Sequence, residues 1–236
     1  MKNLSFQYKL VFLIALPLLL SVAFLSKEIA ASYQISHKND LLVIYTELVT
    51  VNSHLVHELQ KERGATAGFL SSSGKKFVDT LAQQQGSTDK ALGHWQTFIQ
   101  QRSIDNVELT QLIRAVGQEL DRLNRIRAQV RSLSIPSAQA ISYYTELNAR
   151  LLSAASITAS ISEDGYLVRS ALAYYNFLQA KERAGVERAI LSGVFAKGQF
   201  TGGLFERFVT LVSEQKTYIS QFAQLTDRVH LDAMIV

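Results

Sequence analysis

The chain has 236 residues, of which 47% are hydrophobic and 19% are charged, and its formal net charge is +4. This balance excludes a disordered chain, and the length allows one large domain or two small ones. The absence of cysteine excludes disulfides, thiolate zinc sites and cysteine catalysis. The two prolines, Pro17 and Pro136, leave room for very long helices, because an interior proline costs a helix about 3 kcal/mol.

Near the amino terminus, residues 10–26 form a stretch without a charged side chain. Its length is at the short end of what crosses a bilayer, and the flanking Lys9 and Lys27 can reach the interfaces. We therefore predict a transmembrane helix at residues 10–26. A cleaved signal peptide is the alternative, but its apolar part is normally shorter and a small-residue cleavage site follows closely.

The charges around this stretch predict its orientation. Lys2 and Lys9 precede it and little net charge follows it, which favours a cytoplasmic amino terminus. Residues 1–9 are then expected in the cytoplasm and residues 28–236 in the periplasm. No second apolar stretch of this length follows in the sequence, so we expect a single crossing of the inner membrane.

The rest of the sequence is typical of long helices with short breaks. Apolar residues recur at spacings of three and four, and no alternating stretch is bounded by hairpin dipeptides. Asp105 and Glu108 form a capping-box pattern. The breaks predict helices up to residue 71 and at 76–100, 106–131, 137–196 (with a kink near Gly165) and 203–225. The expected fold is all-α, with the membrane helix continuing into an up-and-down bundle of long antiparallel helices.

Five arginines crowd residues 114–131, but acidic residues alternate with them. Asp121 lies four residues before Arg125, a spacing that indicates a solvated helix face. A nucleic-acid-binding protein usually shows a basic stripe interleaved with aromatic residues. We therefore expect no nucleic-acid partner.

Two similar segments form a weak internal repeat: KERGATAGFLS at residues 61–71 and KERAGVERAILS at residues 181–192. We call them the first and second KER segments. At about 100° per residue, Arg63 and Arg183 lie on the apolar faces of their helices. Both are therefore expected inside the bundle, where a buried charge needs a partner. Small residues around them allow neighbouring elements to come close.

Two guanidinium groups that converge between helices would suit a small planar oxyanion, because their fork geometry matches it and their charge is permanent. The alternative is structural pairing of each arginine with a carboxylate. Glu62, Glu182 and Glu187 are near enough in the sequence to serve.

The segments QKERGATAGFLSSSG and AKERAGVERAILSGVFAKGQF, together with LFERFVTLVSEQKTYISQF, resemble the nitrate- and nitrite-sensing (NIT) domain. That family is found in bacterial chemoreceptors, in other signalling proteins and in some cytosolic regulators, and the resemblance covers residues 45 to 225. It implies long helices in bundles and recognition of nitrate or nitrite by core arginines. That role falls to Arg63 and Arg183, which lie in the matching motifs. Arg188 is a third candidate, although it lies about 140° round the helix from Arg183.

The resemblance implies a membrane chemoreceptor whose periplasmic domain binds nitrate or nitrite, signals across the membrane and forms a homodimer. Family members normally continue into a further helix, a second span and an output module. None of these is visible before Val236, which leaves three expectations open: a fragment that is incomplete at its carboxyl end, a truncated gene product or a stand-alone sensor. Two alternatives stay open: a helical interaction module without a small ligand, and a sensor for another small anion.

The sequence shows no catalytic motif. Glu163 and Asp164 are adjacent and point in different directions on a helix, so they make a poor acid–base pair. His54 and Glu58 have the i,i+4 spacing of a metal pair, but no second helix supplies a matching motif. We therefore expect no enzyme activity, no metal and no cofactor. Core packing, with hydroxyls near the surface, is expected of Tyr143, Tyr144, Tyr166, Tyr174 and Tyr175.

Overall fold

A computed structural model describes residues 6–162, 165–200 and 202–226, without the side chains of residues 6–14, 16, 31, 34–39, 166, 196 and 197. Glu163 and Asp164 lie outside the described residues. The described part contains seven α-helices and no strand, which confirms the predicted all-α fold. The helices are α1 Phe6–Ser71, α2 Val78–Gln101, α3 Val107–Leu120, α4 Leu123–Arg131, α5 Ser137–Ile161, α6 Gly165–Lys197 and α7 Leu204–Leu225.

The chain divides into two compact units, Met1–Val43 and Ile44–Val236. In the first unit, the described backbone is helical. No helix in the described part of the chain is long and apolar enough to cross a membrane. This finding contradicts the predicted transmembrane helix at residues 10–26, and with it the inner-membrane anchor and the periplasmic placement.

In the second unit, the helix ends follow local backbone chemistry. The N-cap of α3 is Asn106, whose side chain accepts a hydrogen bond from the amide of Leu109 at 2.9 Å. The predicted capping box with Asp105 as the cap is therefore wrong by one residue. Pro136 precedes α5 in an extended conformation, as suits a residue without an amide hydrogen at a helix start. Gly203 is the N-cap of α7 and has a φ of 73°, in the left-handed region that glycine tolerates best.

Two predicted helices are divided in the structure. The one predicted at 106–131 becomes α3 and α4, because the amide of Arg122 bonds to the carbonyl of Glu119, only three residues back, and tightens the backbone there. The one predicted at 137–196 becomes α5 and α6. The division lies at Ser162, whose backbone is extended, close to the kink predicted near Gly165.

The core of the second unit lies among the helices from α1 to α6. It is built of buried leucine, valine, isoleucine and aromatic side chains, each contributing about 1.5–3 kcal/mol on burial. Helix α6 packs against both α5 and α7, and α3 packs against α5. Core members include Leu55, Val56, Leu59, Leu123, Val130, Tyr144, Leu147, Leu151 and Leu178.

Candidate anion site

Arg63, the first predicted ligand, is fully buried on α1, with 0% of its surface exposed. Its Nη1 donates to Oγ1 of Thr145 at 3.0 Å and to the carboxylate of Glu182. Its Nη2 lies 3.5 Å from the other oxygen of Glu182. Its Nε has no hydrogen-bonding partner in the described part of the chain. The guanidinium therefore lies between α1, α5 and α6, inside the bundle as its position on the apolar face predicts.

Glu182, which belongs to the second KER segment, is 2% exposed. Besides the bond from Arg63, it accepts bonds from Nε2 of Gln60 at 2.7 Å and from Nδ2 of Asn148 at 3.4 Å. These donors satisfy the buried carboxylate, as burial of a charge requires. The two KER segments are therefore joined directly, because the arginine of the first pairs with the glutamate of the second.

Gly185, also in the second KER segment, makes room for this pair. A Cβ at Gly185 would lie 2.7 Å from Nη2 of Arg63, closer than real Cβ atoms approach other heavy atoms. From the sequence, we expected the small residues around Arg63 and Arg183 to allow a neighbouring element to come close. Here the group that approaches is the guanidinium of Arg63.

Arg183, the second predicted ligand, faces α7. Its Nε donates to Oε2 of Glu214 at 3.0 Å and its Nη1 donates to Gln179. The guanidinium carbon lies 4.7 Å from the centre of the Tyr218 ring, within cation–π range. Because neighbouring residues on a helix point about 100° apart, Arg183 faces away from Glu182 and from the Arg63 pair. Arg63 and Arg183 share no hydrogen-bonding partner among the described residues.

Arg188, the third candidate, lies on the exposed side of α6. It lines a cavity of about 330 Å³ together with Glu187, Phe195 and Gln215. Arg188 forms no ion pair with the residues that the structure describes. The structure therefore places the three predicted arginines in three different surroundings.

The buried ion pair between Arg127 and Glu62 was not predicted. Nε and Nη2 of Arg127 donate to the two oxygens of Glu62 at 2.7 and 2.8 Å, and Nη1 donates to Asp89 at 2.6 Å. The hydroxyl of Tyr144 donates to Glu62 at 2.8 Å. Burial and the carboxylate of Glu62 raise the pKa of this hydroxyl, which therefore stays protonated. The prediction that places the Tyr144 hydroxyl near the surface is wrong, because it ends on a buried carboxylate.

Arg127 is only 4% exposed, so the predicted solvated face is wrong at this position. A signal for its burial is present in the sequence. Arg127 lies four residues after Leu123 and three before Val130, on the apolar stripe of α4. The same reasoning from periodicity predicts the burial of Arg63.

The lysines of the KER segments lie near His57. Nζ of Lys181 is 3.2 Å from Nδ1 of His57, and Lys61 pairs with Glu58 at 2.9 Å. Burial lowers the pKa of His57, and the charges of Lys181 and Lys61 lower it further. Burial also lowers the pKa of Lys181. Glu58, considered above as half of a metal pair with His54, instead accepts bonds from Lys61 and from Gln84.

The sequence profile of the nitrate- and nitrite-sensing family, NIT, matches residues 54–235, which is more than half of the chain. The chain belongs to the NIT family. This confirms the resemblance inferred from the two KER segments. The match includes both KER segments and all the ion pairs described above.

Two relatives of this NIT chain are regulatory proteins. It is 28% identical over 174 residues to the nitrate regulatory protein of Klebsiella oxytoca, a match that covers 73% of this chain and 44% of that protein. It is similar to the solved structure of the NasR transcription antiterminator, with a TM-score of 0.80 and 25% identity, over 88% of this chain and 57% of that one. The chain thus spans about half the length of the proteins it matches.

These relatives correct several expectations. A nitrate regulatory protein and a transcription antiterminator are not chemotaxis receptors, so the prediction of a membrane chemoreceptor is wrong. The exclusion of a nucleic-acid partner is contradicted as well, because an antiterminator acts in transcription. The expected homodimer stays a prediction.

Proposed function

We propose that this NIT chain is the nitrate- or nitrite-sensing part of a regulatory protein, with Arg63 as its principal anion-binding residue. The observation that carries the proposal is the state of the Arg63 guanidinium, which is fully buried and keeps Nε without a partner. A planar oxyanion takes two N–H donors from one side of a guanidinium. Because Gly185 has no side chain, that group can lie directly against α6.

In this proposal the anion competes with carboxylates of the protein. Arg63 is held by Glu182 and Arg183 by Glu214, each from a neighbouring helix. An anion that takes over the N–H donors of Arg63 would release Glu182, and one that engages Arg183 would release Glu214. The packing of α6 against α1 and against α7 would then change together. A ligand can shift this packing only by the difference in its affinity for the two arrangements.

The regulatory relatives support gene regulation as the output and a role other than catalysis. The homodimer expected from the resemblance belongs to the same proposal. It would allow a change in α6 packing to be passed on between two copies.

A second candidate function is a helical interaction module in which Arg63 is structural. The hydrogen bonds of Glu182 favour it, because Arg63, Gln60 and Asn148 together satisfy that carboxylate without any ligand. In that case Arg63 stabilises the bundle and binds no anion.

Thermal unfolding of the full chain separates the two candidates. Nitrate, nitrite and chloride are compared at fixed ionic strength. A specific anion at about 100 times its dissociation constant adds about 2.7 kcal/mol, which raises Tm by several degrees in a chain of this size. We expect this rise with nitrate or nitrite and not with chloride.

Variants then test the site. Arg63→Lys keeps the charge but loses the fork, so the anion-specific rise is expected to disappear. Arg183→Lys should reduce it. The matched control is Arg125→Lys, on the exposed side of α4, which should leave it unchanged. An unchanged rise in Arg63→Lys, or no anion-specific rise in the folded wild-type chain, would reject the proposal in favour of the interaction module.

A further inference from the structure

A cavity of about 460 Å³ opens beside the Arg63 pair. It lies in the second unit, between the carboxyl end of α1, the first half of α5, α6 and the start of α7. Its volume falls in the range of small-molecule sites, about 300–1,000 Å³, and is far larger than nitrate needs.

The walls of this cavity are mainly apolar. Ile141, Val186 and Ile190 form part of them, with Leu204 at the start of α7. Polar residues are present as well: Ser71, Ser137, Ser142 and Thr145 contribute hydroxyls. Walls that are mainly apolar suit a ligand with an apolar body, because its burial removes apolar surface from water.

Arg207 supplies positive charge to the lining. It is exposed, and its side chain makes no hydrogen bond or ion pair with the residues that the structure describes. A carboxylate would supply the bidentate partner that its guanidinium lacks. The cavity therefore combines apolar walls with an anion-binding group at its rim.

Thr145 connects the cavity to the Arg63 pair. It lines the cavity, and its hydroxyl accepts the bond from Nη1 of Arg63 at 3.0 Å. The same hydroxyl donates to the carbonyl of Ile141 at 2.8 Å. A molecule packed against Thr145 therefore touches a residue that holds the Arg63 guanidinium in place.

We propose that this cavity binds an amphipathic monocarboxylate, a short apolar chain whose carboxylate pairs with Arg207. We propose also that its occupancy changes the anion affinity of Arg63 through Thr145. The second statement rests on the proposed nitrate-sensing function, whereas the first does not. Coupling between the two ligands is reciprocal, so nitrate must change the affinity of the carboxylate by the same factor.

Titration calorimetry on the full chain tests the cavity, with hexanoate as the probe. We expect hexanoate to bind, and shorter carboxylates to bind about fourfold more weakly for each methylene removed. Hexylammonium has the same apolar chain with the opposite charge and should not bind. Equal binding of hexylammonium would overturn the proposal, because it would show an apolar surface effect without a role for Arg207.

Two pairs of variants place the site. Gly193 lines the cavity and a Cβ there meets no atom within 4 Å, so Gly193→Leu should fold and fill the cavity. Gly117→Leu is its matched control, since a Cβ on that residue of α3 is equally unobstructed and lies outside the lining. Arg207→Gln should weaken hexanoate binding at least tenfold, and Arg125→Gln should not. Unchanged binding in Gly193→Leu would overturn the cavity as the site.

The coupling is measured as nitrate affinity with and without saturating hexanoate. Thr145→Val should abolish any difference, and Thr145→Ser, which restores the hydroxyl, should retain it. Hexanoate binding without nitrate binding would support the cavity and reject the sensing function. Nitrate binding without hexanoate binding would support the sensing function and reject the cavity as a carboxylate site. Binding of both ligands with no mutual effect would reject the coupling.

Discussion

Glu62 and Arg63 are neighbours on α1, yet their buried ion pairs differ in kind. Glu62 accepts bonds from Nε and Nη2 of Arg127 and from the hydroxyl of Tyr144, at distances of 2.7 to 2.8 Å. Arg63 binds one carboxylate and one hydroxyl, keeps Nε without a partner and lies against a glycine. In the first pair, the N–H groups of Arg127 that face Glu62 all donate to that carboxylate. In the second pair, the Nε–H group of Arg63 has no acceptor among the described residues. One turn of helix thus carries a structural pair beside the pair that the proposed function assigns to anion exchange.

The largest expected effect is on the Arg127 pair. Arg127→Met leaves the fully buried Glu62 without its cation, so the free energy of unfolding should fall by about 3–5 kcal/mol. Urea unfolding measures this, and nitrate should not restore it. The matched control is Arg122→Met, which removes an exposed ion pair with Glu119 and should cost about 1 kcal/mol or less. A small loss for Arg127→Met would remove the distinction between the two pairs.

The next largest effect is expected at Glu182, which in the proposed function competes with the anion for the N–H donors of Arg63. Glu182→Gln keeps the shape of the side chain but removes the charge that holds Arg63. Nitrate binding should tighten by roughly tenfold, because one charge-assisted bond no longer has to be broken. Titration calorimetry measures the dissociation constant. Glu62→Gln, the corresponding change in the other pair, should leave nitrate affinity unchanged in the folded fraction, and weaker nitrate binding in Glu182→Gln would contradict competition.

A smaller effect is expected from a single methyl group. Gly185→Ala forces its Cβ against Nη2 of Arg63, an overpacking that costs about 1–3 kcal/mol and exceeds the gain in helix propensity. Gly64→Ala, on α1 with open space around its Cβ, should instead stabilise the chain by up to about 1 kcal/mol. Thermal unfolding of the two variants compares them. A gain in both would show that the guanidinium moves aside freely.

The smallest effect is a pH dependence at His57. Its pKa is lowered from 6.5 by burial and by Lys181 and Lys61, so the unfolded chain takes up a proton more readily than the folded one. Stability should therefore fall as pH drops below about 6.5, and level off below the lowered pKa. His57→Gln should flatten this part of the curve of Tm against pH. His94→Gln, at an exposed position on α2, should not change it, and a curve unchanged by His57→Gln would contradict the assignment.

Helical periodicity predicted which side of α1 is buried, and so it predicted Arg63 in the interior. It could not supply the partner, because the contact with Glu182 depends on how α6 is placed beside α1. Arg127 was missed for a different reason. Its charged neighbours suggested a solvated face, although Leu123 and Val130 mark the same face as apolar.

The ends of the helices were also predicted only approximately from the sequence. The break at Ser162 has only Gly165 nearby as a signal, and the cap of α3 fell one residue from its predicted place because Asp105 and Asn106 are both good capping residues. The site was predicted in part through the two KER segments. Thr145 and Asn148 were not assigned to it, because their roles depend on contacts between helices.

The pairing of the two KER segments also constrains how such chains can change in length. Leu178 packs in the core and Glu182 reaches Arg63 from the same helix. A single inserted residue between them would turn one about 100° relative to the other, so the core contact and the ion pair could not both be kept. A length change between α6 and α7 does not alter the angle between Leu178 and Glu182 around the helix axis. Insertions and deletions among relatives of this chain should therefore collect between α6 and α7 and avoid residues 178–182.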